Sequence, residues 1–295
     1  MEVKFLDLKA QYLAIKDEID KAIEDVIDKM AFSGGPFVRN FEEDFAKVHN
    51  ATYCIGVNSG TSALHIVLMG LNIGYNDEVI VPANTFFATP EAVSLTGSKP
   101  VFVDSEENYY NIDPDKIEQA ITCKTKAIIA VNLYGQPAQL DKIKEISNEY
   151  NLYLIEDCAQ SHIAEYKTKF VGTSGIAGCF SFYPGKNLGA YGEGGAVLTN
   201  NEELYKRLMA LRDHGSLKKY YHELIGHNYR MEGIQAAILK VKLKYLHMWT
   251  EKRRKNAFLY RKYLKDIKTI IVPSEMEEAK HVYHLFVIRV PERDR

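Results

Sequence analysis

Apolar residues recur at helical spacing between residues 11 and 30, where Leu13, Ile15, Ile19, Ala22, Ile23, Val26 and Ile27 fall roughly on one face. The run FSGGPFV at 32–38 ends that helix with two glycines and a proline, and residues 38–48 predict a second one. Short apolar segments then follow at regular intervals: YCIGV (53–57), VIVP (79–82), PVFVD (100–104), KAIIAVN (126–132), LYLIED (152–157), CFSFY (179–183) and GAVLTN (195–200). Their length and composition predict seven strands. Stretches near 61–71, 85–96 and 139–150 predict intervening helices. This alternation predicts an α/β fold with a mostly parallel sheet, joined by right-handed crossovers. The glycine-rich connection between the last two strands leaves their direction open.

Residues 230–265 predict one long helix, with Lys and Arg recurring between Ile234, Ala237, Ile238, Val241, Leu243 and Leu246. Such a charge pattern marks a solvated face rather than a nucleic-acid surface. HVYHLFVIRV (281–290) predicts one further strand without sequence partners. The expected division is a large domain over 1–230, with its N-terminal helices, and the start of a small, unfinished domain over 231–295.

Composition narrows the function. The formal net charge of −2 supplies no global field for nucleic acid or an acidic membrane. Cys54, Cys123, Cys158 and Cys179 form no C-x-x-C pair and no zinc spacing, which predicts buried free thiols and no metal centre. Free thiols suit a reducing cytoplasm. No segment has the length and apolarity of a membrane span, and the N-terminus lacks the apolar run of a signal peptide.

Four segments carry chemistry. In SFYPGKNLGAYGEGGA (181–196), Lys186 stands in a glycine-crowded loop directly after an apolar strand. Partial desolvation there lowers a lysine pKa and frees the amine as a nucleophile. The loop is not a phosphate-binding P-loop, because Asn187 follows the lysine where Ser or Thr would be needed. In LYLIEDCAQSH (152–162), Glu156 and Asp157 end a strand, and ligands of open α/β sheets bind at such ends. Strand alternation sends the two acids to opposite faces, so one of them enters a site. In VNSGTSAL (57–64), a strand ends and a helix begins, presenting N–H groups suited to phosphate. In PANTFFATP (82–90), two aromatics follow a strand end, where one could stack on a flat ring. An amine nucleophile, an acid for a ring nitrogen, a phosphate cradle and a stacking face together match pyridoxal 5′-phosphate.

These motifs, with FLDLKAQY, FSGGPFVRNFE, NYRMEGIQAAIL and VYHLFVIR, resemble the DegT/DnrJ/EryC1/StrS family of pyridoxal-phosphate sugar aminotransferases. The resemblance implies the type I aspartate-aminotransferase fold. It implies that Lys186 carries the cofactor, Asp157 pairs with its ring nitrogen, and Gln160 lies near its ring hydroxyl. Gly60, Thr61 and Ser181 match phosphate ligands, and Phe86, beside Phe87, matches the stacking ring. Asn228 matches an asparagine that reaches the phosphate across a homodimer interface, which makes the sites composite. His162 and Tyr183 fall where the family faces its sugar. The implied substrates are an amino donor, usually glutamate, and a keto nucleotide sugar, with a dTDP-3-keto-6-deoxyhexose the nearest match. Amination at carbon 4 and a catalytically inactive regulatory homologue are the alternatives. Two positions depart from the family pattern: Ile163 and Thr168 stand where it usually has glycine. Relatives of this kind also continue past a PERDR-like segment, which predicts a chain that stops short.

Overall fold

The computed structural model describes residues 3–218 and 220–293, so the last two residues of PERDR lie outside them. Three helices lead in: α1 (Leu8–Ala14), α2 (Lys16–Asp28) and α3 (Gly35–Val48). The core then alternates β1 (Tyr53–Val57), α4 (Gly60–Gly70), β2 (Glu78–Pro82), α5 (Ala88–Leu95), β3 (Lys99–Val103), β4 (Thr125–Val131), α6 (Leu140–Glu149) and β5 (Tyr153–Asp157). A small hairpin, β6 (Glu165–Tyr166) and β7 (Lys169–Phe170), precedes β8 (Ala177–Ser181) and β9 (Gly195–Thr199). Helices α7 (Glu202–Leu211), α8 (Gly233–Leu243) and α9 (Leu246–Leu264) follow, with a short strand β10 (Ala279–Lys280) paired to β6.

The seven predicted strands form one sheet in the order β1-β9-β8-β5-β4-β2-β3. Strands β3, β2, β4, β5 and β8 run parallel, whereas β9 is antiparallel to both β8 and β1. Two reversals leave β1 parallel to β8, so both end on the same edge of the sheet. Alternation along β4 divides the core. Ile128 and Ala130 pack with Phe41, Phe45 and Phe180, and Ala127, Ile129 and Val131 pack beneath α4 on the other face. Strands buried on both faces explain the near-continuous apolar runs in the sequence.

Several expectations are corrected. The first helix is broken at Ile15, whose φ of −134° is not helical; the bend sends its side chain inward against Ile19, Ile238 and Val241. The long helix is two: α8 is buried on nearly all sides and α9 mostly exposed, with the break at Lys244–Tyr245. No glycine or proline marks it, so the spacing reads as continuous. Residues 281–290 form no strand; Tyr283 adopts φ +46°, and the segment docks through Val282 N to Gly135 O (3.0 Å) and Leu285 N to Tyr134 O (3.2 Å). Helix α7, capped by Asn201, was not foreseen. Cys123 is exposed, while the other three thiols are buried. No helix among the described residues is long and apolar enough to cross a membrane.

Candidate active site

A cleft of about 1260 Å³ opens at the carboxyl edge of the sheet. Strand ends deliver its chemistry. β5 ends on Asp157, β8 ends on Ser181 five residues before Lys186, and β1 is followed by the start of α4 at Gly60 and Thr61; all line the cleft. Gln160, Phe86 and Tyr183 line it as well. The sequence left Phe86 and Phe87 as alternatives; Phe86 is the one on the cleft wall.

The α4 N-terminus and β8 are in close contact. A Cβ added at Gly60 would stand 2.6 Å from Ser181 Cβ, so only glycine lets these two backbones converge. Ser59 caps the helix by accepting from Ser62 N (3.0 Å). The leading N–H groups of a helix have no partner within it and favour an anion.

Asp157 is 6% exposed. Its Oδ1 accepts from Ala159 N (3.1 Å) and its Oδ2 from Thr89 Oγ1 (2.9 Å). Burial pushes its pKa up, against those two hydrogen bonds and the positive charge of Lys186. Burial pushes the Lys186 pKa down, against the Asp157 carboxylate. Each group is thus drawn toward its neutral form, and each resists through the other. Among the described residues no carboxylate lies within ion-pair distance of Lys186. Its amine is therefore not tied up as a structural salt bridge.

Glu156 faces the opposite way, as strand alternation requires. It is fully buried and accepts from Gly172 N (2.8 Å), Ser174 N (2.7 Å) and Gly175 N (3.2 Å), tying down the loop that leads into β8. Gln160 is held by Tyr134 N donating to its Oε1 (2.7 Å).

His162 does not face the cleft. Two successive turns after β5, Ser161 N to Cys158 O (3.0 Å) and Ala164 N to Ser161 O (2.9 Å), carry it into the core. There its ring packs on Phe180 and Phe182, with neither nitrogen hydrogen-bonded, and burial holds its pKa well below the usual value. Asn228 is exposed and lies outside this cleft; its backbone pairs with Asp213 and its carbonyl accepts from Asn58 Nδ2 (3.3 Å).

Sequence reasoning missed several cleft residues. Thr85 and Thr89 sit in a segment noted only for its aromatics, and Arg253 in a helix read as a solvated face. His284 also lines the cleft, with Nδ1 3.4 Å from Asn187 Oδ1. Burial and the charges of Lys186 and Arg253 lower its pKa to about 3. Nothing local in the sequence signals a pairing across some hundred residues.

Comparison with known proteins settles the family. The model of the DegT/DnrJ/EryC1/StrS aminotransferase family matches residues 13–295. The chain belongs to this family. A dTDP-3-amino-3,4,6-trideoxy-alpha-D-glucose transaminase from Streptomyces venezuelae is 43% identical, over 99% of this chain and 77% of that protein. A dTDP-3-amino-3,6-dideoxy-alpha-D-galactopyranose transaminase from Aneurinibacillus thermoaerophilus is 47% identical over 99% and 80%. A "pleiotropic regulatory protein" of Geobacillus stearothermophilus is 44% identical over 100% and 80%. Among solved structures, S. venezuelae DesV in complex with a ketimine intermediate superposes with a TM-score of 0.97 at 43% identity, covering 99% of this chain and 79% of that one. The fold is that of pyridoxal-phosphate aminotransferases, and the chain is a family aminotransferase. The cleft fits the cofactor. The unpaired amine of Lys186, an acid set deep in the same wall and a helix N-terminus packed against Ser181 are the three features such a molecule needs.

Proposed function

We propose that this aminotransferase moves an amino group from an amino acid, glutamate foremost, to a keto nucleotide sugar, and that the sugar is a dTDP-3-keto-6-deoxyhexose. The observation that carries the aminotransferase reading is that an unengaged, partly desolvated Lys186 and a buried Asp157 line one cleft. The relatives from S. venezuelae and A. thermoaerophilus, both named for dTDP-3-amino sugars, support the choice of substrate.

When bound, pyridoxal phosphate supplies an electron-withdrawing ring conjugated to the donor's α-carbon. Asp157 would keep a proton on the ring nitrogen, as a charge-assisted pair. Gly60, Thr61 and Ser181 would hold the phosphate, Gln160 would reach the ring hydroxyl and Phe86 would cover the ring face. Lys186 would hold the cofactor through its amine and, once freed, that amine would take and give back the proton removed from the donor's α-carbon. Its lowered pKa suits both duties. Tyr183, half-exposed on the cleft wall, would meet the sugar. Asn228, exposed on its own chain, would complete the phosphate site of a second copy in a two-fold dimer. We place the reaction in the cytoplasm, in keeping with free thiols.

A regulatory role is the other reading, raised by the name of the Geobacillus relative. The retained Lys186 and Asp157 favour the enzyme. The test is purified protein with pyridoxal phosphate, glutamate and a panel of keto nucleotide sugars. Wild type should show the visible absorbance of the lysine-bound cofactor and turn over a dTDP-3-keto sugar, and Lys186→Ala should do neither. A wild-type chain without the band, or a Lys186→Ala variant that keeps turnover, would overturn the proposal.

A further inference from the structure

Asp157 occupies a position that opposes its own charge. It is 6% exposed, and burial is the largest influence on it. Pairing with a protonated ring nitrogen nevertheless requires the ionised carboxylate. Two donors within the fold support that form: Ala159 N on Oδ1 (3.1 Å) and Thr89 Oγ1 on Oδ2 (2.9 Å). The first is main chain. The second is the side chain of a wholly buried residue in the first turn of α5.

Thr89 is itself oriented. Its Oγ1 lies 2.8 Å from Thr85 Oγ1, one turn earlier in the chain. A hydroxyl has one proton to donate and lone pairs that accept. An ionised carboxylate only accepts, so the Thr89 proton must point to Asp157. Thr85 must then donate to Thr89. The direction of the relay, Thr85 to Thr89 to Asp157, follows from the chemistry of its last member. One donor on each carboxylate oxygen also fixes the plane of the group and leaves lone pairs free toward the cleft.

We propose that Thr89, oriented by Thr85, is a positioning residue that holds Asp157 ionised and aimed at the ring nitrogen of the cofactor. This rests on the reading of Asp157 given above. It adds that the acid works through a hydroxyl relay supplied by the β2–α5 loop (Thr85) and the first turn of α5 (Thr89). Valine at position 89 keeps the shape and removes the donor, which leaves Oδ2 short of a partner in a buried place.

The experiment compares wild type with Thr89→Val, Thr89→Ser, Thr85→Val and Asp157→Asn. In cofactor-free protein the Asp157 carboxyl is titrated by its carbon-13 shift. In loaded protein the ring nitrogen is followed by its nitrogen-15 shift, and the half-reaction with glutamate by single-turnover absorbance. Thr89→Val should raise the Asp157 pKa by roughly one unit and move the nitrogen shift toward neutral pyridine. It should slow the half-reaction about tenfold or more. Thr89→Ser should restore all three, and Thr85→Val should move them the same way by less. Should Thr89→Val fold poorly, Thr89→Ala takes its place with the same readouts. A Thr89 variant with wild-type titration and nitrogen shift overturns the relay while Asp157→Asn still collapses both the nitrogen signal and the rate. If Asp157→Asn changes neither, the assignment of Asp157 fails, and the relay with it.

Discussion

The two positions that depart from the family's glycines should answer the same substitution with opposite signs. Both hold the left-handed backbone that glycine favours: Ile163 has φ +55° and Thr168 has φ +65°. Thr168 and Lys167, at φ +48°, form the two-residue link between β6 and β7. Positive φ at both central residues is the tightest common form of two-residue hairpin, and Asn-Gly is the pair that supplies it with least strain. A side chain in this region costs roughly 1–2 kcal/mol. Glycine's extra freedom in the unfolded chain returns roughly 0.4–1 kcal/mol of that. Thr168 is exposed, and its hydroxyl bonds only the adjacent Lys167 carbonyl (2.6 Å), so little packing is lost. Thr168→Gly should therefore stabilise by about 0.5–1 kcal/mol, a rise in melting temperature of about 1–3 °C. Ile163 is 1% exposed and belongs to the core cluster that includes Phe180. Deleting a buried side chain of this size costs roughly 2–5 kcal/mol, more than the backbone relief. Ile163→Gly should lower stability by about 2–3 kcal/mol. Urea midpoints of the two variants against wild type decide the matter. A Thr168→Gly midpoint at or below wild type, with unchanged slope, would refute the strain argument. A stabilised Ile163→Gly would refute the ranking of packing over strain.

Lys242 is 1% exposed, donates to Gly189 O in the Lys186 loop and has its pKa lowered by burial from 10.5 to about 8. The unfolded chain then holds more protons between about pH 8 and 10.5, so stability should rise with pH across that window, by up to about 1.4 kcal/mol per unit. Lys242→Met should abolish that rise, and an equal pH slope in the variant would assign it elsewhere. Asn228→Ala should weaken cofactor affinity only in the dimer, as read by sedimentation with pyridoxal-phosphate titration; tight binding by a monomeric wild type would remove the shared site.

The sheet was legible because most of its strands are buried on both faces and show as apolar runs, while the edge strand β3 keeps Lys99 and Phe102 exposed and still reads as one. Its order was not, since Tyr53 pairs with Thr199 and no local pattern encodes that distance. Residues 281–290 alternate well enough to pass for a strand, and a single positive φ at Tyr283 undoes the reading. The site divides along similar lines. Asp157 ends β5 and Lys186 stands in the glycine-rich loop after β8, on the strand edge where position alone suggests a ligand. His162 lies only five residues beyond Asp157, but two turns separate proximity in sequence from proximity in the cleft. Thr89 and His284 meet partners, Asp157 and Asn187, that sequence spacing cannot supply.

The dipeptide Glu156–Asp157 shows how far local pattern can carry function. Alternation sets one acid on each face of β5, and the structure uses both. Glu156 binds three backbone N–H groups of residues 172–175, and β8 then pairs with β5 in the register Glu156↔Gly178 and Asp157↔Cys179. That register determines where β8 ends, and hence where Ser181 and Lys186 emerge. Asp157, on the other face, meets the cleft that they form. Glu156 thus aligns the strand that delivers Lys186, and its neighbour Asp157 lines the same cleft. Glu156→Gln leaves one fewer acceptor for that loop. Its effect should appear first as weakened cofactor binding with the Asp157 titration intact, because the damage reaches the site through β8 and not through the acid itself.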